Sequence, residues 1–255
     1  MAHAALSSKL KRLDGLIAHN PVDSELLIAR AQVFSDQGDY ERARLDLDLA
    51  DMLGGTQKST FTRAVMLYRI GYLEKSRLQL NRTLDAYPHN MEALEYRARV
   101  HRDLGSNSAA IADFRALIEA QDNTNPGYYL AAAKLMVTND GGIEEALILL
   151  DGGMLRLGVI PQLQSYAVTL ELRRGHTEAA INRNLSLRLI LNDSPDWKVE
   201  TAHMYTLHNQ PDVALDYYRQ AQLQLSYLRP TRARQELAAS VEASIVQLQQ
   251  RESTL

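Results

Sequence analysis

The chain has 255 residues, 45% of them hydrophobic and 23% charged, which is too apolar for intrinsic disorder and long enough for one or two domains. Lys and Arg total 28 against 31 Asp and Glu, a net charge of −3 that argues against a general nucleic-acid or membrane-surface binder. Cysteine is absent, which excludes disulfides, thiolate zinc sites and cysteine nucleophiles, and no stretch approaches the ~20 apolar residues of a membrane span.

Met1-Ala2-His3-Ala4 shows neither a basic nor an apolar leader segment, while Ala2-His3-Ala4 has the small-x-small form of a cleavage site. Leu6, Leu10, Leu13 and Leu16-Ile17 then form a helical stripe over residues 3–20 that stops at His19-Asn20-Pro21. Beyond it the sequence repeats. Ala43, Ser76, Ala110, Ala146, Ala180 and Ala214 are spaced 33, 34, 36, 34 and 34 residues apart. Five residues before each stands Gly38, Gly71, Gly105, Gly141, Gly175 or Asn209. Gly and Asn tolerate the left-handed backbone that ends a helix, and a small residue lets two helix backbones approach closely. Each copy therefore reads as two amphipathic helices about a tight turn, clearest from Met91 to Asp122, with Pro and Asn at the joints, as in Pro88-His89-Asn90 and Asn125-Pro126. Pro230-Thr231 opens a last helix over 230–251 carrying Ala233, Leu237, Val241, Ile245 and Leu248, and the closing residues from Glu252 to Leu255 are expected to fray.

Gln37-Gly38-Asp39-Tyr40-Glu41-Arg42-Ala43 resembles the turn of the tetratricopeptide repeat, a family with a 34-residue helix–turn–helix period. Ala31, Ala64, Ala98, Ala133, Val168 and Ala202 fill its first small position, and Leu47/Ala50, Leu80/Thr83, Phe114/Leu117 and Tyr218/Ala221 its second-helix positions. The fourth copy departs through about two extra residues around Asn139-Asp140-Gly141-Gly142, and the early aromatic survives only as Tyr129. The resemblance implies an all-α fold: one right-handed α-solenoid over 1–255, with a half-repeat at 3–20, about six repeats over 24–228 and a capping helix at 230–251.

The chemistry-bearing residues gather into no known motif. His203 and His208 are five apart and share no metal-binding face, and no phosphate-cradling or nucleophile-elbow motif occurs. Asp46/Asp48 and Glu144-Glu145 read as solvated outer-face carboxylates, and the Asn-x-Ser/Thr triplets at Asn81, Asn184 and Asn192 as chance matches. No catalytic, cofactor-binding or metal-binding residue is assigned.

The resemblance further implies a groove lined by the first helices. It places there Lys58, Phe61, Val65 and Tyr68 from the second copy and Glu92, Glu95, Arg99 and Arg102 from the third. Phe61, Val65 and Tyr68, bordered by Lys58, Arg69, Arg99 and Arg102, could anchor a partner's apolar side chain while Arg binds a carboxylate. A shift of one residue in register would instead turn the stripe inward as packing. Residues 57–90 carry a net +4 and residues 1–56 a net −3, an asymmetry able to orient an acidic partner. Some family members clamp a C-terminal carboxylate with Lys and Asn; the matching positions here are Ile28, Gln32, Phe61 and Val65, which disfavours that mode. The expected function is non-enzymatic binding of a protein or peptide along the groove, with self-association into a homo-oligomer as the alternative. The segment 145–158, Leu170-Glu-Leu-Arg-Arg-Gly175 and the Arg-rich opening of the last helix are also similar to stand-alone exported bacterial members, which favours a periplasmic or exported location over a cytoplasmic one.

Overall fold

The turns repeat in geometry as they do in sequence. Gly38, Gly71, Gly105, Gly175 and Asn209 all have positive φ, Asn209 at 57° being the one non-glycine case among the described residues. In each turn the next residue's N–H reaches back to close the helix end. Asp39 bonds the Phe34 carbonyl at 2.9 Å, Tyr72 that of Leu67 at 2.9 Å, and Ser106 that of His101 at 2.8 Å. His176 bonds Glu171 and Gln210 bonds Tyr205, both at 2.9 Å. This six-to-one bond satisfies a carbonyl that the helix end would leave unpaired.

The computed structural model describes residues 2–121, 124–137 and 141–252, and these hold fifteen helices and no β-strand. Six hairpins follow in order: α2 (Ser24–Asp36) with α3 (Tyr40–Met52), α4 (Thr56–Ile70) with α5 (Leu73–Ala86), and α6 (Met91–Asp103) with α7 (Asn107–Glu119). Then come α8 (Pro126–Met136) with α9 (Ile143–Leu157), α10 (Pro161–Arg173) with α11 (Thr177–Leu185), and α13 (Pro195–Leu207) with α14 (Pro211–Tyr227). Ahead of them lies α1 (Ala2–His19), after α11 a single turn α12 (Arg188–Leu191), and at the end α15 (Arg232–Glu252). Asp122, Asn139, Asp140 and residues 253–255, named in the sequence expectations, lie outside the described residues.

The fold is an all-α repeat structure, arranged as two compact units, one up to Thr124 and the other from Asn125. In both, the small residues sit where helices touch. Ala31, Ala43, Ala64, Ser76, Ala98, Ala110, Ala146, Ala180, Ala202 and Ala214 are fully buried. Ser76 also donates from its hydroxyl to the Ala64 carbonyl across its hairpin at 2.8 Å. In the first unit α1 packs Leu10 against the Ala31, Phe34, Leu47 and Met66 cluster. In the second, α15 lays Val241 and Leu248 over Ala214, Leu215, Tyr218 and Ala221, the cover a terminal repeat requires.

The structure corrects two details. In the fourth hairpin the left-handed residue preceding α9 is Gly142 (φ 71°), one position later than the spacing predicts; a Cβ there would fall 2.2 Å from the Met136 carbonyl oxygen. Gly152 and Gly153 lie inside α9, with Gly153 packed closely against the Tyr129 ring. Asp46, expected on a solvated face, is buried because packing of α2 on α3 brings Arg30 to it, with bonds of 2.8 Å from both Nε and Nη2.

Asp46 belongs to a recurring device. Arg97 grips buried Asp113 sixteen residues on in the same way, at 2.9 and 2.7 Å, and the free Nη1 of each arginine reaches the preceding helix, Asp14 for Arg30 and Asn81 for Arg97. In the second unit buried Glu171 accepts from Arg174 at 2.7 Å and from Arg183 at 3.0 Å, and Arg183 also holds Asp151 at 2.6 and 2.8 Å. Hydrogen bonding to these carboxylates raises the pKa of Arg30 and Arg183 against the opposing effect of burial. Bidentate guanidinium–carboxylate pairs fix geometry as well as charge. Two of the Asn-x-Ser/Thr positions enter the same polar packing: Asn81 accepts from Arg97, and Asn184 is buried and donates to the Thr201 hydroxyl at 2.7 Å.

Candidate functional site

The first helices of the first unit, α2, α4 and α6, enclose a cavity of about 800 Å³ that also takes in Thr83, Tyr87 and Asn90. Helical periodicity puts Lys58, Phe61, Val65 and Arg69 on one face of α4, and all four line it. Arg99 faces them from α6, together with Glu92, Glu95 and Tyr96. Ile28 and Gln32 of α2 complete the wall, so the four positions of a carboxylate clamp do converge here, without a Lys or Asn among them. The residues that the sequence assigned to the groove thus meet, apart from two.

Tyr68 and Arg102 are those two. Tyr68 donates its hydroxyl to Asp103 at 2.8 Å, and Arg102 donates Nε to the other carboxylate oxygen at 2.9 Å. The pair locks the C-terminal ends of α4 and α6 together beside the cavity rather than lining it. Burial, then the bond to Asp103, raises the Tyr68 pKa. For Asp103 burial acts upward, but hydrogen bonds from Arg102 and Tyr68, with the nearby Arg99 charge, outweigh it and leave the carboxyl below its usual value.

Tyr96 is the residue that sequence reasoning missed. Its ring stands between Phe61 and Tyr68, edge-on to both with centroids 5.9 Å apart, and Arg99 lies 5.4 Å over it. Phe61 and Val65 are half-buried: they pack on neighbours and also face the cavity, so the outward and inward readings of the stripe each hold in part. Tyr87 adds a third aromatic to the lining and donates its hydroxyl to Gln57. Six aromatic side chains within residues 57–122 of a chain only 6% aromatic, Phe61, Tyr68, Tyr72, Tyr87, Tyr96 and Phe114, were the available signal.

The charge asymmetry between the first two copies is met within the unit. Lys58 pairs with Glu25, Arg63 with Asp48 and Asp51 (both 2.9 Å), and Arg69 with Asp36. Each is a cation of the second copy held by an acid of the first. Arg99 pairs with Glu95 on its own helix. The hydrogen bond to Glu25 raises the Lys58 pKa. The cavity therefore presents an aromatic and aliphatic floor edged by ion pairs. No group of three potential metal-binding side chains occurs among the described residues, and no described helix is long and apolar enough to cross a membrane.

These features define a class: a helical-hairpin repeat protein whose first helices build a recessed surface. Residues 61–126, a span that includes most of the cavity wall, match the model of the tetratricopeptide repeat family. Comparison with curated proteins found no match. Among solved structures, the C-terminal part of a TPR repeat-containing protein from Cytophaga hutchinsonii aligns with a TM-score of 0.73 at 11% identity, over 92% of this chain and 95% of that one. A tetratricopeptide repeat protein from Parabacteroides merdae gives 0.54 at 18% identity over 94% of each chain. The pilF protein of Pseudomonas aeruginosa gives 0.57 at 16% identity, over 79% of this chain and 91% of its own. At these identities the likeness is one of fold. Proteins of this fold generally serve as protein–protein interaction scaffolds.

Proposed function

We propose that the chain is a non-enzymatic scaffold that seats a segment of a partner protein in the cavity between α2, α4 and α6. The carrying observation is the half-buried floor of Phe61, Val65 and Tyr96, side chains of α4 and α6 that converge on one recess and stay open to it. An aromatic or aliphatic side chain of the partner seats there, since a recessed apolar spot ringed by polar groups excludes water well. The flanking ion pairs act as selectors. A partner carboxylate at Arg99 or Arg69 competes with Glu95 or Asp36 for the guanidinium, so charge contributes more to discrimination than to affinity. A periplasmic or exported location belongs to the same proposal, on the resemblance of the segments 145–158 and 170–175 to exported proteins, and fractionation of host cells tests it.

The test is a photo-crosslinking side chain at position 65 of the full-length protein, exposed to a library of short peptides, followed by affinity measurement for the captured sequences. Phe61→Ala is expected to weaken binding of captured peptides about tenfold or more, as loss of a buried anchor does, with the helical spectrum unchanged. Peptides that bind Phe61→Ala and wild type equally would remove this cavity from consideration.

A further inference from the structure

Leu155 of α9, Leu189 of α12 and Leu223 of α14 are spaced 34 and 34 residues apart, so one register of three successive copies carries leucine. All three are exposed, at 90%, 98% and 58%. Scattered surface leucines are ordinary. A row that keeps the repeat period differs, because core positions hold that period only since each hairpin must pack alike; an exposed apolar period points to a repeated contact made outside the fold. The row lies within the second unit, where its helices are laced side by side. Arg183 of α11 bonds Asp151 of α9, and Gln224 of α14 donates to the Asn192 carbonyl just after α12 at 3.1 Å. Ile148 seven residues before Leu155, Ile190 beside Leu189, and Tyr227 one turn after Leu223 are also more than half exposed. In the first unit the same register holds Met52, Asp85 and Glu119, the last two exposed carboxylates.

We propose that this row is the face on which two copies of the chain pair. A row of three at one 34-residue period pairs with itself under a two-fold axis through its middle: Leu189 against Leu189, and Leu155 of one copy against Leu223 of the other. The six side chains offer on the order of 100 Å² each at the usual relation between burial and area. Together they approach the roughly 800 Å² per partner of a stable interface, the polar rim supplying the rest. Segment 125–255 carries 12 cationic and 14 anionic side chains, which disfavours an anionic membrane as the occupant. Asp85 and Glu119 disfavour a pairing that slides onto the first-unit register.

Sedimentation equilibrium of the full-length protein tests the proposal, with thermal melting as the folding control. Wild type is expected at twice the chain mass, and Leu155→Glu or Leu223→Lys alone to weaken dimerisation about tenfold or more. Carrying both in one chain sets Glu against Lys across the axis and is expected to recover most of the loss. A monomeric wild type, or a dimer unmoved by either single change, overturns the proposal; so does binding of a monomeric protein to phosphatidylcholine–phosphatidylglycerol vesicles that those changes abolish. None of these substitutions touches the cavity of the first unit, so this result and the peptide experiment stand or fall separately.

Discussion

Replacement of Asp113 by Ala tests whether the arginine–carboxylate pairs hold neighbouring helices together or merely decorate them. The Asp113 side chain is 8% exposed and receives two hydrogen bonds from Arg97, which is itself 24% exposed. Removing one member of a buried pair costs about 3–5 kcal/mol, because the other charge is left uncompensated. Arg97 keeps its 3.1 Å bond to Asn81 and part of its hydration, which moves the expectation down to about 2–3 kcal/mol. For a chain of this size that corresponds to a fall in melting temperature of about 5–10 °C. Circular dichroism melts and urea titrations measure it, without assuming two-state behaviour, which repeat arrays often break. Glu41→Ala, which removes an exposed partner of Arg44, is the control and should stay within the ~0–1 kcal/mol of surface pairs. The double replacement Arg97→Met/Asp113→Leu should recover most of the loss, since apolar residues of similar volume avoid the desolvation cost. A single change no costlier than the control, or a double change no better than the single, would refute the reasoning.

Two adjacent glycines in α9 should respond in opposite directions. A Cβ added at Gly152 would meet only open space, so Gly152→Ala is expected to stabilise by up to about 1 kcal/mol through helix propensity. At Gly153 the Cβ would lie 2.8 Å from the buried Tyr129 ring, and overpacking of about 1–3 kcal/mol should outweigh that gain. Equal effects in thermal melts would contradict the close approach. His101 supplies a pH dependence. Burial lowers its pKa below the usual 6.5, Asp113 opposes, Arg97 and Arg77 add to the lowering, and Glu74 opposes again. The folded state therefore binds fewer protons than the unfolded one just below 6.5, so its contribution to stability is complete above that value and is lost as pH falls. The melting temperature is expected to drop as pH falls below about 6.5, with a shallower slope in His101→Gln. Equal slopes in the two proteins would clear His101 of this role.

The periodic features of this chain were legible because they are local. A Gly or Asn that must turn left-handed, a small residue where two backbones meet, and apolar positions at helical spacing each depend on residues within one hairpin, so Ala43 to Ala214 and all the turn residues from Gly38 to Asn209 except that of the fourth copy could be placed without a structure. Five of the seven candidate groove residues meet in the cavity for the same reason: one face of α4, and Arg99 on α6, follow from the period alone. What crosses from helix to helix was decided only by the tertiary structure. Asp46 and Asp48 look alike in sequence, yet Asp46 is buried against Arg30 because the packing angle of α2 on α3 brings them together. The basic second copy and acidic first one, read as a surface for a partner, neutralise each other across their joint. Tyr68 and Arg102 turn to Asp103, and Tyr96 enters the wall in their place, since a few tens of degrees of helix rotation choose which neighbour a side chain meets. Spacing along a chain fixes what repeats; only the contact between repeats determines which groups remain open to a partner.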